Sequence, residues 1–158
     1  MSVRVRRILV PLDFSEHAPS VLEWAIHLAQ EHASSVILLH AYHPPVEFQQ
    51  LEGAYLPPDF WSNVKSEAEQ SLSRYADQVR AAGLECEVVV REGYPATVIE
   101  DVAEEWAADL IVIGTRGHTG LKHLLLGSIA ERVVQKAPCP VLTVKPRPES
   151  STPEPAPG

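Results

Sequence analysis

Gly114 to Ser128 reads GTRGHTGLKHLLLGS, and what flanks this stretch decides the fold. It follows an apolar run, Leu110-Ile111-Val112-Ile113, which has no polar face and so reads as a parallel strand buried on both sides. It precedes a helical pattern from Ser128 to Lys136, with Ser128 in the place of a helix N-cap. Glycines stand at 114, 117, 120 and 127. The order strand, glycine-rich loop, Gly-Ser, helix is one way a backbone holds phosphate. Glycines let main-chain N–H groups approach the anion, and the helix N-terminus adds free donors and the positive end of its dipole. The glycines are not spaced as in the dinucleotide fingerprint, and no Gly-Lys-Ser/Thr follows as in a Walker A loop. Read by itself, the stretch is also compatible with an ordinary glycine-rich βα connection.

Working outward, the chain alternates strand and helix patterns. Ile8 to Leu12 is a first buried strand, with Pro11 where ladder hydrogen bonding should stop and Asp13 at its carboxyl tip. Ligands of open α/β sheets sit beyond such tips, so Asp13 is placed to accept hydrogen bonds from one; a turn or capping role is the alternative. Ser15 reads as the cap of a helix running to about His32, although Pro19 falls awkwardly late in its first turn. His17, His27 and His32 lie off its apolar stripe and are expected to face solvent. Val36 to Ala41 is a second strand, ending at another tip near the presumed site. Pro44 to Pro58 reads as a long proline-bracketed loop, either a lid or a wandering connection. Asp59 caps a helix to Ala82, stopped by Gly83. Leu84 to Arg91 alternates outward Glu85 and Glu87 with apolar residues, which suggests an edge or partly exposed strand. Pro95 opens a helix to about Ala107. The last helix is expected to bury Ile129, Ala130, Val133 and Val134, and Val141 to Lys145 is a fifth strand.

Five strands alternating with four helices define an α/β fold with a mostly parallel sheet. The chain of 158 residues suits one domain, residues 1–145, and 146–158 (PRPESSTPEPAPG) reads as a disordered Pro-rich tail. Net charge is −8, which argues against a general nucleic-acid or anionic-membrane surface. Arg4, Arg6 and Arg7 read as a solvated edge. No apolar run approaches the roughly 20 residues that cross a bilayer, and no signal peptide pattern opens the chain, so a cytoplasmic location is the expectation. Cys86 and Cys139 show no metal or redox spacing and read as reduced and structural. Histidines 40, 43, 118 and 123 have none of the spacings of a zinc site.

The spacing of Gly114, Gly117, Gly127 and Ser128 resembles the nucleotide-binding motif of the universal stress protein family, in its ATP-binding branch. ILVPLDFS near the start and ADLIVIGTRGHTGLKHLLLGSIAERVVQKAPCPVLTV near the end extend the resemblance from about Arg7 to Lys145. It implies an open Rossmann-like sheet of order 3-2-1-4-5 with helices on both faces. It also implies ATP as ligand, with AMP and ADP as open alternatives and Mg²⁺ an open accompaniment. Asp13, beside Pro11, would meet the ribose or adenine side. Backbone near Ala41 would meet adenine. Gly114, Gly117, Gly127 and Ser128, with Ile129 following, would hold phosphates and ribose. Arg116 and His118 lie within the loop, and a guanidinium pairs well with phosphate oxygens. The resemblance further implies a homodimer formed by the last strand, Val141–Lys145, across a two-fold axis. Phosphoryl transfer needs metal ligands and a residue that orients water. No Walker B pattern stands in the right place, since the fourth strand begins with Asp109 rather than ending in an aspartate, so the expectation is a nucleotide-binding stress-response or signalling module. A slow ATPase switch and a dimeric scaffold without nucleotide are its alternatives.

Overall fold

The computed structural model describes residues 2–43, 57–115 and 126–146. Nine elements run in order: β1 (Arg7–Pro11), α1 (Ala18–His32), β2 (Ser35–Tyr42), α2 (Phe60–Ala81), β3 (Cys86–Glu92), α3 (Pro95–Glu105), β4 (Leu110–Gly114), α4 (Ser128–Lys136) and β5 (Val141–Val144). The strands form one sheet of order β3-β2-β1-β4-β5, and all four pairings are parallel. The expected Rossmann-like α/β class and strand order therefore hold, and β3 is an edge strand as its alternation suggested. The expectations for residues 44–56 and for the tail beyond Pro146 lie outside the described residues.

Strand side chains alternate between faces, and here each face meets a helix layer. Ile8 and Val10 of β1, Val36 and Leu38 of β2 and Val112 of β4 pack with α1 and α2. Leu9, Ile37, Leu39, Ile111 and Ile113 pack with α3 and α4 on the other side. Ile8, Leu9 and Val10 are fully buried. That is why the short apolar runs carry no polar alternation: they have no solvent face. The N-terminal arginines are exposed, yet their backbone is anchored. The amides of Arg6 and Arg7 donate to Oδ2 of Asp109 at 2.8 and 3.0 Å.

Several boundaries and faces differ from the sequence reading. α1 begins at Ala18, which puts Pro19 in the first turn, where a proline's missing N–H costs nothing. Ser15 does not cap it. Its Oγ accepts the amide of His17 at 3.3 Å and its own amide donates to Asp13 Oδ1 at 3.0 Å, so Ser15 shapes the turn ahead of the helix. α4 spans Ser128–Lys136 as expected, but its cap differs: Gly127 is the N-cap and Ser128 the first helical residue. α3 ends at Glu105 rather than Ala107. Ile129 and Val134 are exposed, not core. Ala130 and Val133 define the buried line of α4, and at 100° per residue Ile129 and Val134 fall on its two flanks.

Cys86 lies on edge strand β3 and Cys139 just ahead of β5 at the opposite edge, with three strands between them. At the usual strand spacing the gap is on the order of 15–20 Å, far beyond disulfide reach, and both are free thiols. Burial pushes the Cys86 thiol up from 9.0 to about 11, and burial also raises Cys139. Because the folded pKa of Cys86 exceeds its unfolded value, its contribution is fully present below pH 9 and lost as pH rises through about 11. Urea denaturation should therefore show stability falling between those limits, with a shallower fall in Cys86→Ala; an identical slope in the variant would remove the thiol as the cause.

Candidate functional site

The crossover order places a switch point at β1. From β1 the chain goes to β2 on one side and later to β4 on the other, so the connections diverge above the carboxyl ends of β1 and β4 and leave a crevice. A cavity of about 590 Å³ occupies that crevice. Ala18, Pro95 and Ser128 all line it, so the N-termini of α1, α3 and α4 converge there. Each helix start has backbone N–H groups with no intrahelical acceptor, together with a partial positive charge, so the cavity is suited to an anion.

The sequence-selected residues gather at this one place. Pro11, Asp13, Ala41, Gly114, Gly127 and Ser128 line the cavity, and so does Ile129, whose exposure is explained by its position on the rim. Arg116, Gly117 and His118 lie outside the described residues. The amide of Gly127 donates to the carbonyl of Thr115 at 2.7 Å. Thr115, 3% exposed, in turn donates its amide to Val144 of β5 at 3.0 Å. Thus the chain leaves β4 at Thr115 and returns to the same point at Gly127. A Cβ at Gly127 would lie 3.1 Å from the Thr115 carbonyl oxygen, so the close approach leaves little room for a side chain.

Among the lining residues that the sequence reading did not select are His17, His40 and Phe14. His17, expected in solvent, lines the cavity at the start of α1. His40 lines it too, with Nδ1 2.7 Å from the carbonyl of Leu12. Period-two alternation puts His40 on the face of Val36 and Leu38, so its partial burial was legible, but its partner was not. Phe14 gave no signal at all. It follows Asp13 at φ +60°, the left-handed region, and that conformation carries a steric cost. Its ring stacks on His40 with centroids 4.3 Å apart and lies nearly parallel to Tyr75 at 6.4 Å. The aromatic contacts offset the backbone cost and hold the Asp13–Ser15 turn against the cavity.

Among the described residues, no three His, Cys, Asp or Glu side chains cluster as a metal cage. No described helix is long and apolar enough to cross a membrane.

A doubly wound parallel sheet with a cavity at its switch point defines a Rossmann-like α/β domain. The profile of the universal stress protein family matches residues 4–145, and the chain belongs to that family. A universal stress protein of Methanocaldococcus jannaschii is 35% identical over 145 residues, covering 89% of this chain and 82% of the relative. The solved structure of another protein of that organism, MJ0577, superposes with a TM-score of 0.78 at 30% identity, covering 90% of this chain and 97% of the other. A universal stress protein from Archaeoglobus fulgidus, solved in complex with dAMP, gives a TM-score of 0.65 at 25% identity, covering 91% and 100%.

The turn at Phe14 makes a directional prediction. Phe14→Ala loses the ring stack and keeps the left-handed strain, whereas Phe14→Gly loses the stack and relieves the strain. In urea denaturation the glycine variant should be the more stable of the two by about 1 kcal/mol. An alanine variant as stable as the glycine one would show that φ at this position is not strained.

Proposed function

We propose that the cavity binds an adenine nucleotide, with ATP the first candidate and ADP and AMP to be compared with it. The protein then acts in the cytoplasm as a stress-response or signalling module whose conformation or partners depend on the occupant. The observation that carries this reading is the convergence of Gly114, Gly127 and Ser128 with three helix N-termini at the switch point. The complex of the Archaeoglobus fulgidus relative with dAMP supports it from outside the chain. In this reading the phosphates lie against Gly114, Gly127 and the first-turn amides of α4. The ribose or base edge meets Asp13, and the base meets the backbone at Ala41. Arg116, Gly117 and His118 belong to the same phosphate-holding stretch. Any Mg²⁺ would enter with the phosphates. Residues 1–145 form the binding domain and 146–158 an appendage to it.

The outer edge of β5, which pairs with no further strand among the described residues, favours a second element of the reading. β5 is at the end of the sheet, and Val141, Leu142 and Thr143 are only half-buried. A second copy pairing with Val141–Lys145 across a two-fold axis would cover it.

Nucleotide extracted from freshly purified protein, followed by calorimetric titration with ATP, ADP and AMP with and without Mg²⁺, tests the site. ATP should bind, and Gly127→Val, whose branched side chain meets the Thr115 carbonyl, should weaken it by about tenfold or more. Absence of binding under every condition would leave the scaffold reading, and steady ADP release would move the assignment to a slow ATPase. For the dimer, light scattering of Thr143→Asp should report a monomer, since near the two-fold axis the new charge faces its own copy. A variant of unchanged mass would remove β5 from the interface.

A further inference from the structure

Asp13 lines the cavity, and one side chain grips the residues on both sides of it. That side chain is His40 of β2. Its Nδ1 lies 2.7 Å from the carbonyl oxygen of Leu12, and because a carbonyl only accepts, Nδ1 carries the hydrogen and donates it. The same ring stacks on Phe14, with centroids 4.3 Å apart and 28° between the planes. Leu12 and Phe14 are the residues immediately before and after Asp13. The strand register explains the reach. Pro11 of β1 pairs with Leu39 of β2, and the amide of Leu12 donates to the Leu39 carbonyl at 2.8 Å. β2 runs on to Tyr42 after β1 has stopped at Pro11, so His40 stands beside the chain where it leaves the sheet.

The carboxylate is held from the other direction by the turn that follows. The amide of Ser15 donates to Asp13 Oδ1 at 3.0 Å, and Phe14, at φ +60°, bends the chain back so that this amide meets the side chain two residues before it. A left-handed φ carries a steric cost at a residue with a side chain, and the stack on His40 offsets it. The direction of the carboxylate therefore follows from a turn whose two ends His40 secures. A carboxylate has two oxygens with about four acceptor sites, more than one amide uses. Of the groups that a nucleotide offers, the paired hydroxyls of the ribose suit it best, because they donate and the carboxylate only accepts.

We propose that His40 is a positioning residue for the sugar. By gripping Leu12 and Phe14 it aims the Asp13 carboxylate at the 2′ and 3′ hydroxyls, and so sets a preference for a ribonucleotide over one whose sugar lacks them. This rests on the reading that the cavity takes a nucleotide. His40 also lines the cavity, so direct contact with the occupant is the rival account, and the choice of ligands separates the two.

Calorimetry on the full chain with ATP and 2′,3′-dideoxy-ATP tests it. Wild-type protein should bind ATP the more tightly, by about tenfold. His40→Leu, which removes both the donor and the ring, should weaken ATP by about tenfold and dideoxy-ATP by less than twofold, so that the preference collapses. His40→Asn, which offers an amide N–H in place of Nδ1, and His40→Phe, which keeps the ring, should each retain part of the preference and guard against a folding defect in the leucine variant. Asp13→Asn should show the same collapse, and adding His40→Leu to it should cost ATP less than a further twofold, because His40 acts through Asp13. Equal losses for the two ligands in His40→Leu would mean a structural role or direct contact elsewhere on the nucleotide. Additive losses in the double variant would mean that His40 works independently of Asp13. Either result overturns the proposal, as does an unchanged preference in His40→Leu or a wild type that binds both ligands equally. Failure of the underlying reading shows separately, as wild-type protein that binds neither ligand, and it takes the proposal with it.

Discussion

One hydrogen bond, from the amide of Gly127 to the carbonyl of Thr115 at 2.7 Å, fixes the geometry on which the site depends. It ties the start of α4 to the end of β4, so the first-turn amides of the helix lie at the mouth of the sheet. The bond requires close backbone approach, and the 3.1 Å space at Gly127 is its consequence. Thr115 is itself held by Val144, so β5 buttresses the same point. The converging helix starts, the cavity they surround and the rim residues on α4 all inherit their placement from this junction.

The opposite wall is held by a different kind of force. The Asp13–Ser15 turn is shaped by two short side-chain-to-backbone contacts and a strained residue under an aromatic stack. A cavity bounded by a rigid backbone junction on one side and a turn under steric load on the other is a site whose parts are positioned before any occupant arrives. Such pre-positioning lowers the cost of ordering groups at the moment of binding.

The fold was legible in the sequence because its signals are redundant. Leu110–Ile113 and Ile8–Val10 are apolar throughout, and a strand with two covered faces must be so. The outward Glu85 and Glu87 marked β3 as an edge. The strand order came through the family resemblance, since periodicity carries no information about which strand lies beside which. The gathering of Asp13, Ala41 and Gly114 followed from their position at strand tips. Helix caps were less legible: at Ser15 and Ser128 a side chain suited to capping stands two residues and one residue from the true cap, because Pro19 and the Gly127 junction decide where the helix begins. Ile129 and Val134 were misplaced because an apolar residue on the flank of a short helix has the same sequence signature as one on its buried line. Phe14 was invisible for another reason. Its left-handed φ is held by stacking on His40 and Tyr75, rings that reach it only once distant segments have met.

The parallel sheet also carries a consequence for the order of synthesis. β1 is the central strand, and its two neighbours come from very different distances along the chain. β2 follows closely, but β4 does not exist until about a hundred residues later, as the Arg6–Asp109 contact with its separation of 103 residues records. At ordinary elongation rates of 5–20 residues per second, roughly 5–20 s pass with one side of β1 unpaired. During that interval β3, β2 and β1 can assemble with α1 and α2, leaving Leu9 and its neighbours an uncovered apolar edge. The nascent chain therefore passes through a sticky half-sheet, and the segment that ends this exposure is the same one that completes the cavity.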